Sequence, residues 1–259
     1  MIVEKTESEV IDKEFLTTFA RGLEVIKSFD AQSPKMTLSE LAKKNGLSRA
    51  SARRFLLTLQ TLGYVASVDK QFSLTAKILD LGYSYLSSLN LTEVITPFIE
   101  RVAHQLSESC SATVLDGHEI VYIARIPRKE LIPISLQIGA RLPAYATSPG
   151  RVFLAALPEE QLQSFLNSVD FKQLTPCTIC PKNLPDELKK VRQQGYAIVD
   201  QELELGMRAV AVPVYDRRQQ LVFAINVSSH ISTVSLKDIV DKFIPIMQQA
   251  ARDMTMALP

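Results

Sequence analysis

The chain has 259 residues, 46% hydrophobic and 22% charged, ordinary proportions for one large or two small globular domains. Its acidic start, MIVEKTESEVIDKE, is no leader, no apolar run nears the roughly 20 residues that span a bilayer, and three cysteines make no secreted disulfide framework; a soluble, cytoplasmic protein without membrane contact is expected. The net charge is +1, yet residues 35–77 hold eight bases against Glu40 and Asp69, a local +6 that leaves about −5 for the rest, an asymmetry that points to a nucleic-acid surface.

The first predicted element covers residues 15–29. Phe15, Leu16, Phe19, Leu23, Ile26 and Phe29 recur at helical spacing, which predicts a helix with one buried face, ended by the Ser33-Pro34 turn. Thr37-Leu38-Ser39-Glu40 is a capping box and starts a short helix through Lys44. Asn45-Gly46 breaks that helix, and Ser48 caps the next, about Arg49 to Leu62. On this second helix Ala52, Phe55, Leu56, Leu59 and Leu62 share one side, and Ala50, Arg53 and Arg54 fall opposite, flanked by Arg49 and Ser51.

Two short helices around a tight glycine turn form a helix-turn-helix, whose second helix enters the DNA major groove. Arginine suits that place because its fork donates two hydrogen bonds to a guanine edge or a phosphate. YVASV, Asp69-Lys70 and QFSL then read as a two-stranded hairpin, a wing with Lys70 at its tip. The candidate DNA-contacting residues are Thr37, Lys43, Ser48, Arg49, Ala50, Ser51, Arg53, Arg54 and Lys70, in a domain of residues 1–75. The plainer alternative is a solvated basic face on a small helical domain.

These segments resemble the IclR-type bacterial transcriptional regulators. FARGLEVIKSFD is similar to that family's first helix, and TLSELAKKNGLSRASARRFLLTLQTLGYV to its helix-turn-helix. IGARLPAYATSPGRVFLAAL and LELGMRAVAVPVYD are similar to its effector-domain signatures. Within the family the chain most resembles regulators of protocatechuate and β-ketoadipate catabolism. The resemblance implies a double-stranded DNA operator, a homodimer or dimer of dimers (a tetramer), and a small organic acid effector, aromatic or β-ketoadipate-like. RNA polymerase is a further partner to be considered, and no cofactor is expected.

Residues 76–91 show helical spacing and are expected to form a linker helix, which with the first helix is the candidate pairing surface. The effector domain, 92–259, starts with a helix of about Thr92 to Ser107. SATVLDG and HEIVYIARI follow around an Asp116-Gly117 hairpin signal, then LIPISLQIG. Helices are expected from Ser148, from Glu159 to Asn167, from Asn183 to Gln194 and from about Leu236. YAIVD, MRAVAVPVYD and QLVFAINVSS read as strands, with Pro213 at an edge or bulge. The fold class is α+β with an antiparallel sheet; the resemblance implies a GAF-like sensor with a ligand pocket on one face.

Thr147-Ser148-Pro149-Gly150 opens a helix, where free amides and the helix dipole favour an anion; an ordinary N-terminus explains the residues equally well. Alternation groups Met207 with Ala209, and Asn226 with Ser228. By the resemblance, the pocket is lined by Ser148, Pro149, Gly150, Asp200, Met207, Ala209, Asn226 and Ser228. Arg125 and Arg141 are candidates to clamp a carboxylate, or are surface arginines. Asp200 would repel an anion unless it binds a ligand hydroxyl, or it is the acidic end of a strand.

Two other function classes were weighed. No G-x-S-x-G, P-loop, G-x-G-x-x-G or H-E-x-x-H occurs, and His104, His118 and His230 pair with no nucleophile by spacing, so an enzyme is not expected. Cys177-Thr178-Ile179-Cys180 is a C-x-x-C, the basis of a redox or metal-sensing alternative, but a second pair at zinc spacing is missing.

Overall fold

The structure is a computed structural model and describes residues 15–81, 91–128 and 136–258, with side chains from residue 94 in the second stretch. The chain divides into two compact units, Met1–Tyr85 and Leu86–Pro259. The division falls inside the segment expected to link the domains. Of the expected linker helix, a 3-10 turn at Ala76–Ile78 is described; residues 82–90 lie outside the described residues, as do residues 131–135 of the expected strand LIPISLQIG.

In the N-terminal unit α1 is Thr17–Lys27, β1 Met36–Thr37, α2 Leu38–Lys44, α3 Arg49–Thr61, β2 Val65–Val68 and β3 Gln71–Leu74. Val25, Met36, Leu41, Ala42, Ala52, Leu56, Leu59 and Val65 form its core. The capping box is present: Glu40 accepts from the Thr37 amide at 2.7 Å, and the Glu40 amide donates to Thr37 Oγ1 at 3.4 Å. Gly46 has φ +60 and lets the chain turn back, so that the Leu47 amide reaches the Ala42 carbonyl at 2.9 Å. Ser48 caps α3. Asp69 and Lys70 have φ of 50 and 64, the left-handed pair that a two-residue hairpin turn needs.

Three expectations differ from the observed unit. The wing has three strands, because Met36 and Thr37 pair with Phe72 and Gln71 of β3; an N-cap residue is already extended, so it can double as a strand. Leu62 is 51% exposed although its backbone is still helical and its amide reaches the Thr58 carbonyl at 3.0 Å; the spacing holds there, but the core does not extend over it. The largest departure is α1. Its spacing is helical, but Phe15, Leu16, Phe19 and Leu23 are exposed, and Val25 is its one buried residue. The apolar stripe exists, and within this unit nothing covers most of it.

The C-terminal unit contains α4 Leu91–Leu106, β4 Ser109–Asp116, β5 Glu119–Ile126, β6 Arg141–Pro143, α5 Ser148–Ala156, α6 Glu159–Ser168, α7 Leu184–Gln194, β7 Ala197–Asp200, β8 Met207–Tyr215 and β9 Leu221–His230. It closes with α8 Leu236–Asp238, a π turn Ile239–Phe243 and α9 Ile244–Ala257. The strands make one antiparallel sheet in the order β6-β5-β4-β9-β8-β7.

Alternation gives the sheet two unlike faces. Phe223, Ile225 and Val227, with Val210, Val212 and Val214, pack with Ile95, Ile99 and Val102 of α4 and Met247 and Met254 of α9. Ala197, Ala211 and Ala224 on the other face pack with Leu154 of α5, Phe165 of α6 and Leu188 of α7. Pro213 lies beyond the last β7 pairing, Ala197 with Ala211, and just before a bulge at Val214/Tyr215, so the ladder has already ended on its β7 side.

Thr37→Ala removes the α2 cap and should cost roughly 0.5–2 kcal/mol, read as a lowered urea midpoint at unchanged slope. Hydrogen bonds from the Thr37 amide and hydroxyl hold the Glu40 carboxyl below its ordinary value of 4.5. The stability this confers is present above that ordinary value and lost as pH falls through the lowered one, and Thr37→Ala should flatten that part of the pH profile.

Candidate functional sites: a basic helix surface and a polar cavity

In the N-terminal unit Arg49, Ala50, Arg53 and Arg54 face solvent on the first half of α3, as do Leu57, Thr58, Gln60 and Thr61 further along, whereas Ala52, Leu56 and Leu59 are buried. Among the described residues no ion pair engages Arg49, Arg53, Arg54, Lys43 or Lys70; Lys44 is held by Asp30 at 2.7 Å. Three guanidinium groups therefore stand without an ion-pair partner among the described residues on the second helix of a helix-turn-helix, with Lys43 at the end of the first helix and Lys70 on the hairpin turn. Ser48 and Ser51 are tied to each other, Oγ to Oγ at 3.0 Å, at the start of α3. The Thr37 hydroxyl sits 2.9 Å from Glu40 Oε2 as part of the cap.

The C-terminal unit holds a cavity of about 200 Å³ between the sheet and the start of α5. Cross-strand pairing sets its wall in rows. Arg125, Ser111, Asn226 and Ala211 stand side by side on β5, β4, β9 and β8, Arg125 and Asn226 of them lining the cavity, and Ser109, Ser228 and Ala209 form the next row. Neighbours in such a row are about 4.8 Å apart. Ser148 and Pro149 face the wall from the first turn of α5, whose amides no side chain caps.

Among the described residues four buried polar atoms of this unit lack a hydrogen-bond partner: Arg125 Nε, Ser148 Oγ, Asn226 Oδ1 and Thr113 Oγ1. The first three belong to residues that line the cavity. A buried unsatisfied group costs roughly 1–3 kcal/mol, so a polar molecule that satisfied three of them at once would be bound with advantage. The Asn226 amide donates to Ser228 Oγ at 3.3 Å. Tyr122 also lines the cavity, its hydroxyl pushed up to about 12 by burial against the opposing effect of Arg125; at neutral pH it is protonated and able to donate.

Of the candidate ligand contacts, the structure brings together Arg125, Ser148, Pro149, Met207, Ala209, Asn226 and Ser228 around one cavity. It places three elsewhere. Arg141 lies on β6 and pairs with Glu119 at 2.7 Å and Asp116 at 2.6 Å, outside the cavity; these bonds raise its pKa further and make it a brace for the β4–β5 hairpin. Asp200 is gripped by Arg208 through both oxygens, at 3.0 and 2.8 Å, which removes the repulsion expected of it. Gly150 does not line the cavity. A Cβ there would stand 2.1 Å from the Ala144 carbonyl oxygen, so its absent side chain lets α5 lie against the Ala144–Ala146 turn.

Several cavity residues escape a reading by alternation. Tyr122 and Arg125 are three apart and belong to opposite faces of a regular strand. A register shift between Ala112 and Thr113 sets Thr113 against Tyr122 and returns Tyr122 to the cavity side. Arg208 lines the cavity although Met207 and Ala209 do too, and it also donates to the Val234 carbonyl at 2.9 Å. Leu203, Glu204 and His230 complete this part of the wall.

Cys110 is buried on β4, its thiol pushed up to about 12 by desolvation, while Cys177 and Cys180 are exposed. Cys110 faces the α4 and α9 layer, so it does not complete a set with the C-x-x-C. Among the described residues no group of three or more His, Cys, Asp or Glu is placed to hold a metal, and no helix is long and apolar enough to cross a membrane.

Comparison with known proteins matches residues 18–69 to the IclR helix-turn-helix domain and residues 83–256 to the C-terminal domain of the bacterial transcriptional regulator IclR. The chain is 41% identical over 245 residues to the Pca regulon regulatory protein of Pseudomonas putida, covering 94% of this chain and 84% of that one. It is similar to a transcriptional regulator from Rhodococcus sp. RHA1 of known crystal structure, with 44% identity, a TM-score of 0.86 and coverage of 94% and 98%. It is also similar to the inducer-binding domain of a double mutant of the Acinetobacter PobR transcription factor in complex with 3-hydroxybenzoic acid. There the identity is 33% and the TM-score 0.61, over 64% of this chain and 97% of that one. These relatives are regulators, not enzymes, and none lends support to the cysteine-based alternative.

Gly150→Ala should destabilise the C-terminal unit by roughly 1–3 kcal/mol, the range for overpacking a tight contact, measured as a lowered denaturant midpoint.

Proposed function

Since the chain belongs to the IclR family of bacterial transcriptional regulators, we propose that it controls genes of aromatic-compound catabolism by binding operator DNA through α3 and a small organic acid in the C-terminal cavity. The observation that carries this reading is the cavity wall, where Arg125 Nε, Ser148 Oγ and Asn226 Oδ1 are buried without partners. A carboxylate would accept from Arg125 and from the uncapped start of α5, and hydroxyl or carbonyl groups would reach Asn226 and Ser228. The Acinetobacter inducer-binding domain in complex with 3-hydroxybenzoic acid supports an aromatic acid as the class; the β-ketoadipate-like alternative rests on the sequence resemblance.

On the DNA side, Arg49, Arg53 and Arg54 would face the groove or its phosphates, Ala50 would let the helix approach closely, and Ser48 and Ser51 would meet the backbone. Thr37 and Lys43 would contact phosphates at the ends of α2, and Lys70 at the wing. The protein would act in the cytoplasm as a homodimer or a dimer of dimers, since one winged helix offers little contact area and two copies read a near-palindromic site. The exposed stripe of Phe15, Leu16, Phe19 and Leu23 on α1 supports pairing. The acid would act only as far as it binds two arrangements of the paired DNA-binding units with different affinity.

The deciding experiment measures binding to DNA flanking the protein's own gene at two salt concentrations, with and without hydroxybenzoates, protocatechuate and β-ketoadipate. Selective binding altered by an acid is the expected result; selective binding indifferent to all of them would remove this ligand class, and no selective binding by folded protein would remove the regulator reading. Arg53→Ala should cost about 1–3 kcal/mol in DNA affinity if it reads a base, with relaxed specificity at one position, or weaken all sequences alike with a smaller salt slope if it meets phosphate. Neither folding nor acid binding should change.

A further inference from the structure

The cavity is bordered by residues 201–206, the connection from β7 to β8, which present Leu203 and Glu204 to it. This connection has no helix or strand of its own, and it begins and ends in left-handed backbone, φ +61 at Gln201 and +83 at Gly206. Its two ends are tied by other bonds, the Gln201 carbonyl to the Thr175 hydroxyl at 2.6 Å and the Gly206 carbonyl to the Ile231 amide at 2.8 Å, and the one side chain of the connection that reaches α5 is Glu202. Its carboxylate receives Arg151 Nη2 at 2.5 Å and the Ile179 amide at 2.8 Å. Its carbonyl receives the hydroxyls of Thr178 at 2.8 Å and Thr175 at 3.3 Å. Arg151 in turn donates from Nε to the Tyr145 carbonyl at 3.2 Å. The pair is deeply placed, Arg151 at 2% and Glu202 at 12% exposure.

We propose that Arg151 and Glu202 form a clasp that keeps residues 201–206 against the cavity, which makes Arg151 a positioning residue for effector binding. The proposal rests on the reading of this cavity as the effector site. Arg151 follows Ser148 by three residues on α5, so the helix that offers Ser148 to the cavity also carries the clasp. A buried ion pair is a poor device for stability alone, because apolar residues of like size serve as well or better; what it supplies is a fixed geometry between two segments. Here those segments are the cavity's helix and the cavity's border. An acid seated on the first turn of α5 and beside Leu203 would touch elements at both ends of the clasp.

The test uses the full-length chain and follows backbone amide exchange together with calorimetric binding of 3-hydroxybenzoate, 4-hydroxybenzoate, protocatechuate and β-ketoadipate. In Glu202→Gln the amides of residues 202–206 and of Ile179 should exchange at least ten times faster, while those of β4 and β9 stay as in the wild type. Affinity for whichever acid the wild type binds should fall at least tenfold, with DNA affinity in the absence of acid within about twofold. Stranding Arg151 without its partner can prevent folding, so Arg151→Met combined with Glu202→Gln, which removes the buried charge pair, should give the same pattern, and Arg151→Lys should restore part of the protection. Unchanged exchange at 202–206, or equal acceleration throughout the unit, overturns the clasp. A wild type that binds none of the acids overturns the effector reading instead, and the exchange data still decide the clasp.

Discussion

Along β9 the side chains of Phe223, Ile225 and Val227 point into the layer under α4 and α9, and those of Ala224, Asn226 and Ser228 point toward α5. That alternation decides what the C-terminal unit can be. Both faces are packed, one against α4 and α9 and the other against α5, α6 and α7, and on the second the packing residues of the strands are small. Alanines at 197, 211 and 224 let α5 approach, and beyond them the serines, Asn226 and Arg125 leave a space that apolar packing does not fill. The cost of leaving polar atoms there unpartnered is offset by the apolar packing on both sides of the same strands.

The N-terminal unit divides its labour in the same manner on a helix. Ala52, Leu56 and Leu59 secure α3 to the core, and the opposite face carries arginines that no carboxylate among the described residues neutralises. The capping box before α2 and the left-handed turns at Gly46 and at Asp69-Lys70 set the angles at which α2, α3 and the wing leave one another. Each is a local device. Together they present Arg49, Arg53 and Arg54 from a rigid helix rather than from a loop.

Three arginines of the C-terminal unit show how far a residue's role depends on its partner. Arg125 reaches Ser111 at 3.4 Å and, among the described residues, leaves Nε without a partner, which fits the proposed contact with an acid. Arg208 is neutralised by Asp200, so it shapes the wall more than it attracts charge. Arg151 is spent on Glu202, and its value is the tie it makes between α5 and the β7–β8 connection.

The sequence by itself determined the features whose causes are local. Thr37 and Glu40 are three residues apart, Asp69 and Lys70 are adjacent, and the helical and strand periods of most elements follow from side chains that share a face over a few residues. The order of the elements was legible on that basis, and the family and most of the cavity candidates came from the resemblance of whole segments. Only the tertiary structure decided which of those faces is covered and which charges meet. The stripe on α1 has the spacing of a buried face and is exposed, because the spacing says that residues align and not that anything lies over them. Arg141 finds Asp116 across 25 residues and Arg151 finds Glu202 across 51, distances over which no pattern in the chain binds one side chain to another. Tyr122 joins the cavity through a register shift in a pair of strands, an event that belongs to neither strand alone.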